Sequence, residues 1–442
     1  MDINDQYKIL GYRFSIRDFA LLFLLFFFME GIFSWLFLPN SLVTEGYIKL
    51  AGLGIYAFML FRFPSLKTGE RVVMVLFTLV MIRLVLESLL KYDSVFKQLT
   101  MFTVLFPVVY VIFISYLLRR LQIDLLGFMA KFYVLSYIAF MVLFGRGFSF
   151  SLAAVDMDDY GPFSGDSRII HASHILMLVI PFLYYLHRYI SERKIKFLGI
   201  VIFCTAAIIL HQHRSVWSAT LFALAFYTMA SIRNRAAEPV KYLGLAIQII
   251  AILLVTYFFV SNLAPGFTDF LSERFAEIFD PAKEGSTGNF RIEQRVVYSA
   301  MVAERPIFGW TFEGFEMPNP LVDWWPEMTG QHFHEGYMEM LFYHGIVGLL
   351  LKYGVLFYFL YKIFSKQLGY QSIILISFGI SGLLFSFNYV LPLIFWGFAG
   401  MALYYIRKDS EAPAVSQGVW STPEPRRRPS VKKIIKSRSY QS

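Results

Sequence analysis

The chain has 442 residues, of which 57% are hydrophobic and 16% are charged, and its formal net charge is +9. No water-soluble domain could bury this much apolar surface, so the composition indicates a membrane protein. The positive charge does not indicate nucleic-acid binding, because much of it lies in short connections and in the C-terminal tail. A single cysteine, Cys204, excludes a disulfide within these residues.

Hydropathy predicts an all-α polytopic membrane protein with about twelve spanning helices. The first apolar run is too long for the core of a signal peptide, and no small-residue cleavage site follows it, so we expect it to stay in the chain. The predicted spans are 19–38, 47–62, 71–90, 100–118, 124–144, 169–187, 195–211, 215–231, 241–261, 337–361, 371–388 and 390–406.

Basic residues orient these spans through the positive-inside rule. The connections after even-numbered spans contain fourteen lysines and arginines, whereas the short connections after odd-numbered spans contain five. Both termini are therefore predicted to be cytoplasmic. We expect a membrane domain over 1–406, followed by a basic, proline-containing and disordered tail over 407–442 that rests against the anionic leaflet.

The long polar connection between the ninth and tenth spans, about 262–336, is predicted to face outward and to be helical. Apolar residues at helical spacing predict a helix lying flat on the membrane over 267–279. Two glycines, Gly285 and Gly288, interrupt that pattern. A second helix is predicted from about Phe290 to Glu304, ending ahead of a proline.

Arginines at predicted helix starts on the outer side indicate anion binding. Arg214 precedes the eighth span, with Ser215 as the predicted N-cap, and a helix N-terminus beside an arginine attracts phosphate. Arg291 stands at the start of the loop helix, and Arg295 follows one turn later. Two such sites predict a ligand with more than one phosphate, such as a lipid pyrophosphate.

A histidine segment, His332-Phe-His334-Glu335, leads directly into the tenth span. An imidazole there can deprotonate an attacking hydroxyl while the arginines stabilise charge on a departing pyrophosphate. Since arginine can replace a divalent metal in this role, we predict no metal and no cofactor. His332 is more often structural in such a position, and His334 itself admits an ordinary interfacial role.

Simpler interpretations remain for the other polar residues. Arg214 could be an anchor to lipid headgroups, and Arg291 could be a solvated residue of its helix. The two His-x-His pairs, at 211/213 and 332/334, admit a zinc site, but no acidic or cysteine ligand follows at motif spacing. Arg83 and Glu87, four apart on the third span, either pair with each other or line a substrate cavity.

Several of these stretches together resemble the O-antigen ligase and polymerase superfamily. They are the turn His-Arg214-Ser-Val-Trp, the segments Gly288-Asn-Phe-Arg291 and Glu304-Arg-Pro306-Ile-Phe-Gly309, and His332-Phe-His334-Glu335-Gly-Tyr-Met-Glu-Met-Leu-Phe-Tyr-His-Gly345-Ile-Val-Gly348. The resemblance covers roughly residues 200 to 361 by motif.

The resemblance implies a twelve-helix, metal-independent, inverting glycosyltransferase of the bacterial inner membrane. Such enzymes take a glycan from undecaprenyl pyrophosphate on the periplasmic face. By the resemblance, Arg214 and Arg291 grip the pyrophosphate and His334 is the general base. Family members often have Asn after this histidine, whereas this chain has Glu335, which leaves open whether Glu335 orients His334 or shares its role.

Three functions follow as alternatives. The first is O-antigen ligase, which attaches the glycan to lipid A-core. The second is a polymerase that joins lipid-linked repeat units of O-antigen or exopolysaccharide. The third, from another class, is a flippase for the same lipid-linked glycan. Transporters usually place ionisable residues near mid-membrane, whereas here, apart from Arg83 and Lys131, they cluster at the outer edge, which favours an enzyme.

Overall fold

The computed structural model describes residues 7–9, 12–15, 45–144, 170–211, 213–234, 244, 258, 262, 287–323, 330–365 and 367–411. Helices dominate this part of the chain. In chain order they are α1 Glu45–Phe61, α2 Thr68–Tyr92, α3 Phe102–Leu121, α4 Leu126–Phe144, α5 Ala172–Leu176, α6 Val179–Glu192, α7 Ile195–Leu210, α8 Arg214–Arg233, α9 Thr287–Glu304, α10 Thr311–Glu316, α11 Gly336–Lys362, α12 Tyr370–Phe385 and α13 Leu393–Glu411. Short 3-10 turns occupy Phe63–Ser65 and Gln98–Met101.

One small β-hairpin departs from the all-helical prediction. Strands β1 (Tyr7–Ile9) and β2 (Tyr12–Phe14) pair antiparallel, with Tyr7 opposite Phe14. Aromatic and β-branched residues favour strands, and two short runs of them flank a two-residue connection that contains a glycine. Hydropathy does not detect such a short element.

Most predicted spans coincide with described helices. Among the described residues, five helices are long and apolar enough to cross a membrane: Thr68–Tyr92, Gln98–Leu121, Leu126–Leu143, Arg214–Arg233 and Gly336–Lys362. Three shorter apolar helices accompany them: Lys49–Phe61, Ile195–Leu210 and Tyr370–Phe385. Predicted span 19–38 and the flat helix over 267–279 lie outside the described residues, as does nearly all of 241–261. The total of about twelve spans remains a prediction.

Three predicted elements differ in detail from the structure. The predicted span 169–187 is divided into α5 and α6. The loop helix, α9, begins three residues earlier than predicted but ends at Glu304 as expected. The last helix, α13, continues to Glu411, past the predicted start of the tail at 407; residues 412–442 lie outside the described part.

Helix α12 lies at the centre of the described bundle, where it packs against α6, α8, α11 and α13. Small residues make this close packing possible, as is usual between membrane helices. A Cβ added at Gly379 would lie 2.6 Å from the ring of Phe359, and one at Gly382 would lie 2.2 Å from the ring of Phe395. The tight contacts fix the end of α12, which leads into the candidate site.

Candidate functional site

A kink in α11 connects two of the motifs identified in the sequence. Gly345 has φ 61° and ψ −162°, a backbone conformation that glycine adopts without steric cost. The kink frees the N–H of Ile346 to donate to the carbonyl of Pro306, at 2.9 Å. Gly309 approaches from the other side, where an added Cβ would lie 2.5 Å from the carbonyl of Phe342. Hydropathy predicted an uninterrupted helix over 337–361. The hydrogen bond from Ile346 and the close approach of Gly309, which both involve the turn after α9, explain the interruption.

Gln294 of α9 holds the histidine segment from both sides. Its Nε2 donates to the carbonyl of His332 at 2.6 Å, and its Oε1 accepts from the N–H of His334 at 3.3 Å. Next to it, the Tyr298 hydroxyl donates to Oε1 of Gln331 at 2.7 Å. Because the glutamine and the tyrosine are buried, the backbone that carries His334 is fixed relative to α9.

The environment of His334 keeps its imidazole neutral. Its ring lies edge-on to Phe290, 5.7 Å between centroids, and 4.5 Å from the ring of His332. The pKa of His334 is lowered to about 3, mainly by burial and to a smaller extent by positive charge on His332, Arg291 and His171. Burial also lowers the pKa of His332. At neutral pH His334 can therefore accept a proton.

Arg291 presents an unused donor in this cluster. Its Nη1 donates to Oδ1 of Asn388 at 3.2 Å, and its Cζ lies 5.1 Å from the ring centre of Tyr389. The Nε atom of Arg291 is buried and has no hydrogen-bond partner among the described residues. A buried charged donor without a partner is costly, so it marks a position where an anion would bind.

Arg295 pairs with Glu335, unlike Arg291, whose Nε has no partner among the described residues. Its Nε donates to Oε2 of Glu335 at 2.9 Å, and its Nη2 lies 2.6 Å from Oε1. The Glu335 side chain is 5% exposed, whereas that of Arg295 is 46% exposed. The ion pair anchors the residue at the N-cap of α11, directly after His334. This arrangement favours an orienting role for Glu335.

Removing Arg295 is expected to destabilise the fold, because Glu335 would remain as a buried carboxylate without its partner. We expect Arg295→Ala to lower the free energy of unfolding by about 1–3 kcal/mol, a range that allows for solvent near the exposed arginine. Thermal unfolding of the detergent-solubilised protein measures this. The double variant Arg295→Leu/Glu335→Leu should recover most of the loss, and a double variant less stable than Arg295→Ala would contradict the explanation.

Arg214 begins α8, and the N-cap is His213 rather than the predicted Ser215. The Nε2 atom of His213 lies 2.7 Å from the carbonyl of Ile170, just ahead of α5. Helices α5 and α8 pack against each other. The start of α8 is thus tied to the start of α5.

Tyr389 connects the N-terminal end of α5 to Arg291. The N-cap of α5, His171, places its ring 5.4 Å from the ring of Tyr389, which Arg291 also contacts. The N–H of Gly336 donates to the carbonyl of Ser386 at 2.9 Å, so the connection after α12 also contacts the start of α11. The structure therefore gathers the ends of α5, α9, α11 and α12 around His334, and the start of α8 joins this group through its contact with the start of α5.

Sequence reasoning did not identify Gln294, His171, Asn388 and Tyr389 as part of this cluster. A weak signal existed for two of them. Gln294 lies three residues after Arg291 on the same helix, and His171 forms a His-x-x-His pair with His174. The polar pair Asn388-Tyr389 between two apolar helices is detectable only as a connection. Tertiary contacts were needed to assign all four.

The predicted accessory residues Arg83 and Glu87 form an ion pair of 2.6 Å on α2, and each side chain is about one-quarter exposed. The guanidinium of Arg83 also lies 4.3 Å over the ring of Phe308. In addition, Arg83 lines a cavity of about 820 Å³ between α2, α3 and α11. Arg83 therefore pairs with its neighbour, as one alternative predicted, and it also faces a cavity; a substrate in that cavity stays a prediction.

The histidine pair at 211 and 213 contacts protein partners. Nε2 of His211 lies 2.8 Å from the hydroxyl of Tyr137, and His213 contacts Ile170 as described above. Over the residues that the structure describes, no three or more His, Cys, Asp or Glu side chains are placed to hold a metal ion. The zinc alternative thus gains no support from the placement of this pair.

Comparison with known families matches the part of the chain that forms this cluster. Residues 198–353 match the family model described as O-Antigen ligase, a range that runs from α7 into α11 and includes Arg214, Arg291 and His334. No curated protein and no solved structure matches the chain. The match over residues 198–353 supports the O-antigen ligase superfamily and a function of ligase or polymerase type.

Proposed function

We propose that this protein is an inverting, metal-independent glycosyltransferase that moves a glycan from undecaprenyl pyrophosphate to an acceptor hydroxyl. In this proposal it is an O-antigen ligase and the acceptor is lipid A-core. The observation that carries the proposal is the placement of a neutral, partly buried His334 close to Arg291, whose buried Nε has no partner in the described structure. A base and an anion site are the two elements that this displacement needs.

The reaction proceeds by direct displacement at the anomeric carbon. His334 takes the proton of the acceptor hydroxyl, whose oxygen attacks the anomeric carbon from the face opposite the leaving group. The bond from that carbon to the pyrophosphate oxygen breaks, and the configuration inverts. Arg214, the first residue of α8, and Arg291, one turn into α9, stabilise the charge that develops on the departing undecaprenyl pyrophosphate. The proton on His334 is then lost to water.

Glu335 and Arg295 support this step by position. Their ion pair fixes the N-cap of α11 and, with Gln294, leaves the His334 backbone little freedom. A base held in place loses less entropy when the acceptor arrives. In this proposal Arg295 therefore acts through Glu335, and its predicted contact with pyrophosphate is secondary.

The proposed site lies on the periplasmic face of the inner membrane, with both termini in the cytoplasm. The bias of lysine and arginine toward the opposite connections supports this orientation. The starts of α8 and α11 pack near the end of α12, so these three helix ends lie on one side of the membrane. This arrangement agrees with the proposed orientation.

Reconstitution with defined substrates tests the proposal. The purified protein in liposomes receives an undecaprenyl-pyrophosphate-linked glycan together with either lipid A-core or further lipid-linked repeat units. Product on lipid A-core supports the ligase, whereas chain growth identifies the polymerase alternative. Movement of the carrier lipid across the bilayer without either product would reject the enzyme and favour a flippase.

The pH dependence of transfer should differ between free and substrate-bound protein. Because the pKa of His334 is about 3 before substrate binds, we expect kcat/KM to show no loss from His334 protonation between neutral pH and pH 5. A bound pyrophosphate favours the imidazolium and raises the His334 pKa, so the acid limb of kcat should lie at higher pH. Rate profiles from neutral pH down to about pH 3, the pKa of His334 in the free protein, measure both limbs. An acid limb of kcat at lower pH than that of kcat/KM would contradict the arrangement.

A further inference from the structure

An apolar groove runs along the outside of α2 and ends in a basic pocket at the far end of the bundle from His334. The groove has a volume of about 820 Å³ and lies between α2, α3 and α11. Its walls are mostly aliphatic, with Leu76, Val111, Val355 and Leu403 among them. Glu70 and Arg83 line it thirteen residues apart on one helix, which corresponds to about 20 Å.

The position of the basic pocket follows from the direction of α13. This helix starts at Leu393, close after the site residue Tyr389, and runs away from the site for about 20 Å before it reaches Arg407. Arg407 lines both the apolar groove and a second cavity of about 260 Å³, which Arg119, Lys408 and Glu411 also line. The apolar groove and the basic pocket therefore share a wall.

Charge at this shared wall is positive. The buried Glu70 accepts from Arg119 at 2.7 Å and from Arg407 at 2.5 Å, so one carboxylate faces two guanidinium groups. Glu411 forms an ion pair with Lys67 at 3.7 Å, and Lys408 lines the same pocket. The cations outnumber the carboxylates, which makes the pocket attractive to an anionic headgroup.

We propose that the groove and the pocket together bind an anionic phospholipid, with one acyl chain in the groove and the phosphate beside Arg407 and Lys408. An apolar groove open to the bilayer fills with hydrocarbon, and basic pockets between membrane helices at the cytoplasmic side bind anionic headgroups. A length of about 20 Å suits an acyl chain, since half of the hydrocarbon core measures about 15 Å. This lipid site is separate from the proposed transfer site.

Gly354 provides a direct test of the groove. It lines the cavity, and a Cβ added to it meets no atom within 4 Å. Gly354→Trp therefore fills the groove with little risk to the fold. Gly199 on α7 is also open to an added Cβ but does not line the groove, so Gly199→Trp is the matched control.

Photo-labelling in nanodiscs measures the lipid. Phosphatidylcholine nanodiscs carry a trace of phosphatidylglycerol or phosphatidylcholine with a photoreactive acyl chain, and labelled peptides are mapped after irradiation. We expect the phosphatidylglycerol probe to label residues 347–358 of α11 about fivefold more than the phosphatidylcholine probe. Because one cation contributes about 1 kcal/mol, which corresponds to about fivefold, Lys408→Ala should make the labelling by the two probes nearly equal. Gly354→Trp should abolish this labelling, whereas Gly199→Trp should retain it.

Equal labelling of the parent protein by both probes, or labelling that persists in Gly354→Trp, would overturn the lipid site. Displacement of the probe by excess undecaprenyl pyrophosphate would also overturn it and would assign the groove to the glycan donor. Glycan transfer is measured in the same nanodiscs. If the parent protein shows the expected lipid labelling but no glycan transfer, only the proposed function is contradicted. If it transfers glycan but shows no lipid labelling, only the lipid site is contradicted.

Discussion

Replacing His334 with alanine is expected to lower the rate of glycan transfer about 10²–10⁴-fold, the range that a general base usually contributes. The reason is the geometry around its ring. Gln294 fixes the backbone of His334, while burial keeps its pKa at about 3 and the imidazole free of a proton at neutral pH. Transfer by the reconstituted variant, assayed with lipid-linked glycan and acceptor, measures the loss.

Two controls separate a missing base from a damaged fold. The thermal unfolding midpoint of His334→Ala should stay close to that of the parent protein, because the backbone contact to Gln294 does not involve the ring. Added imidazole should restore part of the rate, with a pH dependence that follows the free imidazole. Near-normal turnover by a folded His334→Ala protein would show that another group removes the proton.

The second large effect is expected for Arg291→Gln, which should reduce kcat/KM about 10²–10³-fold, as for the removal of one oxyanion donor. Glutamine removes the positive charge beside the proposed pyrophosphate, and with it the buried Nε that has no partner in the described structure. The variant should also bind undecaprenyl pyrophosphate more weakly as a product inhibitor. A steady-state analysis with and without added product measures both effects.

Arg305→Gln is the matched control for charge on the same loop. Arg305 forms an ion pair with Glu313 and stacks over Trp310 at 4.0 Å, at the opposite end of α9 from Arg291. Its loss should leave product inhibition near the parent value. Equal weakening by both variants would mean that the loop attracts the pyrophosphate through its overall charge, and the specific role of Arg291 would be wrong.

Arg291→Gln should further raise the pKa of His334 in the free protein. Burial is the main cause of the low pKa and persists in the variant, but the repulsion from the Arg291 guanidinium disappears. The acid limb of kcat/KM should therefore move toward neutral pH. This shift has a different origin from the loss of rate and links the two residues to one site.

The helical architecture and the resemblance to the O-antigen ligase superfamily were both predictable from the amino-acid sequence. Long apolar runs can be satisfied in a bilayer only as helices, so α2, α3, α8 and α11 were predictable from hydropathy. The helix break before a proline likewise defined the end of α9. The motifs around Arg214, Arg291 and His334 lie in the range that matches the O-antigen ligase family.

Which polar residues meet depends on tertiary packing that the sequence pattern does not reveal. Arg291 reaches Asn388 across 97 positions of the chain, and Arg295 reaches Glu335 across 40. Arg291 and Arg295 look equivalent in sequence, one turn apart on the same helix, yet one keeps an unsatisfied buried donor while the other pairs with a carboxylate. Helical periodicity describes the face of a single helix, whereas these contacts depend on how neighbouring helices pack and on the kink at Gly345, which no local pattern specifies.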